Sequence, residues 1–344
     1  MKKLKVFALI LAGVMAVSML AACGGSGSQS TDGGAVPAET DAPAETDAPA
    51  ETDAAAETEA PASTGIDFTD MAGHQVHLDA VPERIVALSA ADCEILFAVG
   101  AGDTLVGRGE YCDYPEEVLD APVVQSGMDT NIEQIIELDP QVVIMSSMAQ
   151  TEEQVQALED AGITCVVSEA FDIESIYTSV NMIGTLTGHE ADAALVVADT
   201  KAAFAELAEN PLDGGTVYFE VSPLEWGLWT AGSGTFYNEI AEMIGLENVF
   251  ADVDNYAEIS EEQVIERNPD YIVTITMYFG EGPTPTEEIL SRAGWENVTA
   301  VQNEAILNLP NDELSRPVPR LAEGARMLYD FVAENAASDT ASAA

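Results

Sequence analysis

Basic residues are scarce in this chain of 344 residues, which has 11 Lys and Arg against 61 Asp and Glu and a formal net charge of -50 at pH 7. Nucleic acid is therefore excluded as a partner, because neutralising its phosphates requires clustered Lys and Arg. A surface this acidic also disfavours anionic ligands.

Cysteine is also rare, with 4 residues in the whole chain. If Cys23 is lipidated, the remaining Cys93, Cys112 and Cys165 allow at most one disulfide, and their spacing indicates no metal site. Cys93 and Cys165 stand in apolar surroundings and are expected in the core. Cys112 falls in a loop, where its contact with a ligand is left open.

The chain also lacks converging histidines and the motifs typical of catalysis. His74 and His77 fall in a predicted hairpin and His189 at the start of a predicted helix, so a zinc or manganese site is not expected. No Gly-x-Ser-x-Gly elbow, phosphate loop, Gly-x-Gly-x-x-Gly or His-Glu-x-x-His occurs. The chain is therefore predicted to have no enzymatic activity and no cofactor of its own.

The N-terminus has the pattern of a secretion signal over residues 1–23. Three lysines precede an apolar run over residues 6–20, which is too short to span a bilayer. The ending Leu20-Ala-Ala-Cys23 resembles the bacterial lipobox, which implies cleavage before Cys23 and lipidation of its sulfur. The expected location is the cell membrane, on its extracellular face, or on the periplasmic side if there are two membranes.

Two segments are too polar and repetitive to form a core. Residues 24–65 repeat Ala-Glu-Thr-Asp-Ala-Pro and contain no Lys or Arg, so we predict a disordered acidic tether. Residues 336–344 are predicted to be a disordered tail.

The rest of the chain alternates short apolar strands with helices, the pattern of a mostly parallel α/β sheet. A hairpin is predicted over residues 68–78. Further strands are predicted at 84–88, 105–107, 141–145, 164–167, 217–220, 271–275 and 305–309. Helices are predicted at 92–99, 131–138, 152–161, 173–186, 236–244, 261–267 and 320–334.

Between the two rounds of alternation, residues 190–209 form an Ala-rich stretch without Gly or Pro. The predicted fold class is α/β, with two Rossmann-like lobes joined by a single long rigid helix and a ligand cleft between them. The lobes are assigned to residues 66–188 and 211–335, and the connecting helix to residues 189–210. A stiff connection of this kind predicts a small closure of the cleft.

Several stretches in this part are familiar in order and spacing. They are Val-Pro-Glu-Arg-Ile-Val-Ala-Leu-Ser at 81–89, Tyr-Cys-Asp-Tyr-Pro at 111–115, Asn-Ile-Glu-Gln-Ile-Ile-Glu-Leu-Asp-Pro at 131–140, Thr-Ala-Gly-Ser-Gly-Thr at 230–235 and Ser-Glu-Glu-Gln-Val at 260–264. Together they resemble the substrate-binding proteins of cobalamin, haem and iron-siderophore importers. The resemblance implies the two-lobed fold and a monomer that delivers its ligand to an ABC permease dimer with a cytoplasmic ATPase.

The same resemblance implies one permease-docking glutamate in each lobe. The matching positions are Glu133 and Glu262, with Glu261 as an alternative to Glu262. Each lies in the first turn of a predicted helix, where a carboxylate also interacts favourably with the helix dipole.

The ligand is expected at loops beyond the carboxyl ends of the strands. Arg320 is expected to be structural. The candidate ligand-binding residues on these loops are Tyr111, Tyr114, Ser126, Gly127, Tyr218, Trp226, Trp229, Tyr256, Tyr278, Asp312 and Arg316. Many of them are aromatic, which suits a large flat ligand.

A corrinoid is the favoured ligand, because it is large, rimmed with amides and nearly neutral. The alternative is a ferric siderophore or haem, for which the cleft offers only Arg108 and Arg316 as cations. One departure from the cobalamin-binding branch is Tyr256, where those proteins often have Trp. Cobalt or iron would arrive as part of the ligand.

Overall fold

The computed structural model describes residues 65–147, 150–276, 278, 280, 282–309 and 313–342. The predicted signal peptide, Cys23 and the predicted tether as far as residue 64 lie outside the described residues. Among the described helices, none has both the length and the apolar character needed to cross a membrane.

A hairpin precedes the first lobe, as predicted. Strand β1 (Ile66–Thr69) pairs antiparallel with β2 (Gln75–Leu78), and Gly73 has a φ of 90° in the turn. The buried Asp70 carboxylate accepts hydrogen bonds from the His74 amide at 2.8 Å and the Val167 amide at 3.0 Å. Asp70 therefore ties the hairpin to the edge of the first sheet.

The first lobe contains a five-stranded sheet in which every strand pair is parallel. Its order is β5-β4-β3-β6-β7. The strands are β3 (Ile85–Ala87), β4 (Leu105–Gly109), β5 (Val123–Val124), β6 (Val142–Met145) and β7 (Thr164–Val167). Strands β3 and β6 are buried on both faces, which explains their unbroken apolar sequences.

Four helices of this lobe begin where a side chain accepts a hydrogen bond from a first-turn amide. The helices and their capping residues are α1 (Ala90–Ala98, Ser89), α2 (Ile132–Glu137, Asn131), α3 (Glu152–Asp160, Thr151) and α4 (Ile173–Thr187, Asp172). The predicted helices are confirmed, with bounds that differ by one or two residues.

The long helix predicted between the lobes is observed as α5 (Glu190–Glu209). It packs against α4, and Phe204 and Leu207 are buried. At a rise of about 1.5 Å per residue it is about 30 Å long.

The second lobe contains a sheet with two kinds of strand. Its order is β11-β9-β8-β12-β13, and β10 pairs with the start of β8. The strands are β8 (Thr216–Ser222), β9 (Trp229–Ala231), β10 (Glu247–Asn248), β11 (Tyr256–Glu258), β12 (Tyr271–Thr274) and β13 (Ile306–Asn308). Strands β9 and β11 are antiparallel additions that the sequence did not predict, because runs of three residues have no readable periodicity.

The helices of this lobe are α6 (Phe236–Met243), α7 (Glu261–Arg267), α8 (Pro285–Leu290), α9 (Thr299–Gln302) and α10 (Leu321–Ser342). The prediction of a disordered tail over residues 336–344 is wrong as far as Ser342, because α10 continues through it. The segment has no Gly or Pro to end the helix.

Each sheet places alternate residues in different cores. One core, here called the shared core, contains Ile85 and Ile144 of the first sheet together with Val217 and Phe219 of the second. The opposite face of each sheet packs into a core of its own lobe. The two-lobed α/β fold is therefore as predicted, and its lobes are joined by buried apolar contacts in addition to α5.

Candidate ligand-binding cleft

Loops at the carboxyl ends of the strands meet across the two lobes at two places. Arg316, after β13, lies 2.8 Å from the Asp113 carboxylate and donates to the Tyr111 carbonyl at 3.2 Å, both on the loop after β4. On the loop after β7, the Phe171 carbonyl accepts from the Phe236 amide at 2.9 Å. The candidate cleft is the strand-end surface between these two contacts.

Aromatic side chains are exposed on these loops. The exposed fractions are 60% for Trp226, 50% for Tyr111 and 46% for Tyr278. Such side chains can cover a large ligand at low rotamer cost. Tyr114 is also exposed, but one face of its ring is covered by the Arg320 guanidinium at 3.6 Å from the ring centroid.

Arg320 holds the two lobes together beside the cleft. Its Nε and Nη2 atoms donate to the two carboxylate oxygens of Glu94 at 2.6 and 2.9 Å. Glu94 lies on α1 and is only 3% exposed. The structural role expected for Arg320 agrees with this buried, bidentate contact.

Ser126 and Gly127 lie on the loop after β5, close to the end of β4. Gly127 has a φ of 92°, a conformation that favours glycine. Its carbonyl accepts a hydrogen bond from the Thr130 hydroxyl at 2.5 Å. A Cβ on Gly109 would lie 3.1 Å from the Ser126 hydroxyl, so Ser126 packs against the strand end.

Trp229 and Tyr256 lie on the antiparallel strands β9 and β11 and are half-buried. The Tyr256 ring contacts the Tyr237 ring edge-on at 6.3 Å between centroids. Burial raises the pKa of the Tyr256 hydroxyl, so it stays protonated and can donate a hydrogen bond at neutral pH.

Tyr218 was wrongly predicted to line the cleft. It is fully buried in the core of the second lobe, where it packs against Phe250. The reason is strand alternation, since Val217 and Phe219 of β8 face the shared core and Tyr218 faces the other side. Asp312 lies outside the described residues.

Arg108 is not available as a cleft cation, contrary to the sequence-based expectation. It is buried, and it donates to the Cys112 carbonyl at 2.8 Å and the Ala121 carbonyl at 3.2 Å. Cys112 is likewise buried, at 1% exposure, which argues against contact between its thiol and a ligand.

Sequence reasoning missed a group of residues after β6 and β7. Phe171 is exposed there, and the Ser146 and Ser147 hydroxyls donate to the Glu169 carboxylate at 2.6 and 2.7 Å. Both strands were predicted, so the rule that ligands lie beyond strand carboxyl ends could have identified these residues.

Asp92 lies close to this group, at the N-terminus of α1. Its carboxyl group is 1% exposed and accepts a hydrogen bond from the Ser89 hydroxyl at 2.5 Å. Burial raises its pKa to about 6, although the hydroxyls of Ser89 and Ser168 oppose the shift.

Within the described residues, no group of three or more His, Cys, Asp and Glu side chains could hold a metal ion. His74 and His77 have largely exposed side chains, and each pairs with an aspartate of the hairpin region.

A separate depression of about 600 Å³ lies at the opposite ends of the first lobe's strands. Arg84 and Gln141 line it, but their polar side-chain groups are hydrogen-bonded to backbone. The Gln141 side-chain oxygen, for example, accepts from the Glu83 and Arg84 amides at 2.7 and 3.0 Å. The strand carboxyl ends carry the exposed aromatic residues and remain the better candidate for the ligand site.

The two predicted docking glutamates, Glu133 and Glu262, are both exposed in the first turns of α2 and α7. Glu261 differs, because its carboxylate accepts a hydrogen bond from the buried Trp295 indole at 2.8 Å. The Glu262 amide and the Ser260 hydroxyl lower the pKa of the Glu262 carboxyl, which is therefore ionised at neutral pH.

Comparison with known proteins relates the chain to binding proteins. The model of the periplasmic binding protein family matches residues 85–313. The uncharacterized ABC transporter substrate-binding lipoprotein YvrC of Bacillus subtilis is 31% identical over 275 residues, which cover 78% of this chain and 85% of that protein. A cobalamin-binding protein of Halobacterium salinarum is 28% identical over 273 residues, covering 76% and 73%.

Among solved structures, a periplasmic solute-binding protein of Staphylococcus epidermidis, described as possibly iron-binding, is similar to this chain. It is 30% identical with a TM-score of 0.62, and the match covers 73% of this chain and 99% of that one. The similarity therefore extends over both lobes.

Proposed function

This chain belongs to the periplasmic binding protein family, and from that membership we propose that it captures a corrinoid such as cobalamin for an ABC importer. It is a binding protein and not an enzyme, in keeping with the relatives it matches. The proposal adds to this membership the ligand, the docking residues and the membrane anchor.

The charge state of the cleft is the observation that carries the choice of ligand. Apart from Lys2, Lys3 and Lys5, the chain has eight Lys and Arg, and each of them contacts a carboxylate or a backbone carbonyl. The contacts are Arg84 with the Asp139 carbonyl, Arg108 with the Cys112 carbonyl, Lys201 with Glu174, Arg267 with Asp252, Arg292 with Glu220, Arg316 with Asp113, Arg320 with Glu94 and Arg326 with Glu206.

A nearly neutral ligand fits this arrangement better than an anionic one. Haem propionates or an anionic ferric siderophore would have to draw a cation away from its present partner. They would also approach Glu169, a carboxylate beside the cleft that is already held by Ser146 and Ser147. Corrinoid amide side chains can instead donate hydrogen bonds to such carboxylates.

The aromatic side chains supply the apolar part of the site. Trp226 and Tyr278 lie on loops of the second lobe, whereas Tyr111 and Phe171 lie on loops of the first, and all four are exposed. A corrin ring placed between the lobes would bury aromatic surface from both walls. The cobalamin-binding relative supports this choice.

An iron complex is the second candidate ligand. It is favoured by the similarity to the Staphylococcus epidermidis protein and by Arg316, which already stands between the two walls. Release of Arg316 from Asp113 would provide one cation for an anionic chelate.

Equilibrium dialysis of the full chain with cyanocobalamin, haem and a ferric siderophore, read by visible absorbance, tests the ligand. We expect retention of cyanocobalamin alone, with weakened retention in Trp226→Ala. The exposed Leu195→Ala on α5 is the matched control, because it lies on the connecting helix and not on a strand-end loop. Retention of haem or the siderophore without cyanocobalamin would contradict the corrinoid proposal.

Glu133 and Glu262 are proposed to dock onto a permease dimer that works with a cytoplasmic ATPase. Their exposure and charge support this role, and the hydrogen bond from Trp295 to Glu261 favours Glu262 over its neighbour. The shared core supports a small closure of the cleft on binding, because a wide rotation would expose apolar residues of both lobes.

The double variant Glu133→Ala with Glu262→Ala tests docking separately from ligand binding. We expect unchanged dialysis and loss of uptake in cells. The matched control removes Glu137 and Glu266, which are exposed on the same two helices. Normal uptake in the first variant, or equal loss in both, would contradict the docking assignment.

Cys23 is proposed to carry the lipid that anchors the protein to the membrane, with residues 24–65 as the tether. The lipoprotein relative from Bacillus subtilis supports this anchor. Expression of Cys23→Ser should release the protein into the medium of a single-membrane host. Retention of that variant in the membrane fraction would argue against lipidation at this position.

A further inference from the structure

Two buried cysteine side chains meet beside the carboxyl end of β3. The Cys93 thiol lies 3.6 Å from the Ala87 carbonyl oxygen, and the Cys112 thiol lies 4.0 Å from the same oxygen. The Cys112 thiol also donates to the Ser89 carbonyl at 3.2 Å. Exposed fractions of 0% and 1% mean that neither thiol is in contact with bulk water.

The neighbouring Cys112 thiol and burial together raise the pKa of the Cys93 thiol. Both residues are in the reduced form here, as is Cys165. The pairing could not be read from the sequence, because Cys93 lies on α1 and Cys112 on the loop after β4.

We propose that Cys93 and Cys112 form a disulfide in the mature protein outside the cell. Disulfides persist in extracellular and periplasmic compartments, where this family functions. A small-molecule disulfide such as oxidised glutathione serves as the oxidant. Two S–H bonds break and one S–S bond forms, while the two protons and two electrons convert the oxidant into two thiols.

The disulfide forms while the chain folds, before the thiols are enclosed. The thiolate is the reactive species, and burial disfavours it in the folded protein. In the unfolded chain both cysteines are open to exchange, and folding then brings the two sulfurs together.

The cross-link would join the two segments of the first lobe that contact Arg316 and Arg320. The loop that contains Cys112 also contains Tyr111 and Asp113, which contact Arg316. Helix α1, which contains Cys93, also contains Glu94, which pairs with Arg320. The disulfide would therefore fix both lobe contacts relative to each other on one edge of the candidate cleft.

The test uses the full chain with Cys23→Ser and Cys165→Ser, so that only the two proposed partners remain. The protein is reduced in denaturant, refolded in buffers of increasing oxidised-to-reduced glutathione ratio, and alkylated for mass spectrometry. We expect the free thiols to fall from two to none without added glutathione mass. We also expect the oxidised form to melt on the order of 5 °C higher than the reduced form.

The matched control keeps Cys112 and Cys165 but has Cys23→Ser and Cys93→Ser. It should form no internal disulfide, because Cys165 lies on β7 and packs in a different core from Cys112. If the protein fails to refold in vitro, the same thiol count is made on protein secreted from cells. Two free thiols in secreted protein, or glutathione attached at both positions, would overturn the proposal.

Discussion

The two lobes neutralise their buried carboxylates in different ways. In the second lobe, Glu220 is 1% exposed and pairs with Arg292 of the same lobe through bonds of 2.6 and 3.0 Å. In the first lobe, Glu94 pairs with Arg320, which belongs to the other lobe, and Asp92 is held by hydroxyl groups.

This difference means that the buried Glu220 of the second lobe is paired within its own lobe, whereas the buried Glu94 of the first lobe depends on a cation from the other lobe. Separation of the lobes would remove the cation from the Glu94 carboxylate. It would leave the Glu220–Arg292 pair intact. The contact at Arg320 therefore couples the stability of the first lobe to its contact with the second.

The largest effect is expected for Arg292→Met. Both side chains of the Glu220–Arg292 pair are 1% exposed, so the variant leaves a carboxylate buried without its cation. We expect a loss of about 4 kcal/mol in the free energy of unfolding by urea denaturation. Adding Glu220→Gln should restore part of the lost stability, because it removes the uncompensated charge. A loss below about 1 kcal/mol in Arg292→Met would contradict the view that Glu220 depends on a cation from its own lobe.

Arg320→Met should cost somewhat less, about 3 kcal/mol, because its side chain is 14% exposed. Hydrogen exchange should increase in α1 and in the loop after β4, while the second lobe stays protected. The contrasting variant is Arg292→Met, in which the second lobe should lose protection. If both variants lost protection equally in both lobes, the two buried ion pairs would not stabilise the lobes separately.

Asp92→Asn should change the pH dependence of stability. The carboxyl pKa is raised from 3.8 to about 6, so the folded state retains a proton that the unfolded state releases in this window. Wild-type stability should therefore fall as pH rises through the window, by about 2–3 kcal/mol, and stay lower above it. The Asn variant should lack this fall.

Thermal and urea unfolding at several pH values between 4 and 7 would measure this difference. The exposed Asp129→Asn is the control substitution, on a surface loop of the same lobe. If Asp92→Asn and wild type fall in parallel, the carboxyl of Asp92 is not responsible.

The smallest effect is expected for Arg326→Gln. Arg326 pairs with Glu206 between α10 and α5, but the side chains are 37% and 73% exposed. Solvent screening should limit the loss to about 0.5 kcal/mol or less. A loss comparable with that of Arg320→Met would show that exposure does not distinguish these contacts.

The sequence predicted most elements because apolar runs and capping residues act locally. Helix α7 was predicted with the same bounds that are observed, and the connecting helix, assigned to residues 189–210, is observed one residue shorter at each end. The antiparallel strands β9 and β11 were missed, since their stability comes from pairing with distant chain. Tyr218 was misplaced because a strand residue's face depends on register, which the sequence motif does not specify.

The cleft was predictable in outline and not in detail. Loops at strand ends gave Tyr111, Trp226 and Tyr278, all of which are exposed. The pairing of Arg108 with backbone carbonyls and the meeting of Cys93 with Cys112 depend on tertiary packing. Neither could follow from spacing along the chain.

The distribution of the 3 tryptophans gives the protein a built-in optical readout. Trp226 is 60% exposed and Trp229 half-buried at the candidate cleft, whereas Trp295 is fully buried beside Arg292. Emission from Trp226 should be red-shifted and open to collisional quenchers, whereas emission from Trp295 should be blue-shifted and shielded. Fluorescence can therefore follow events at the cleft against an internal reference in the same molecule.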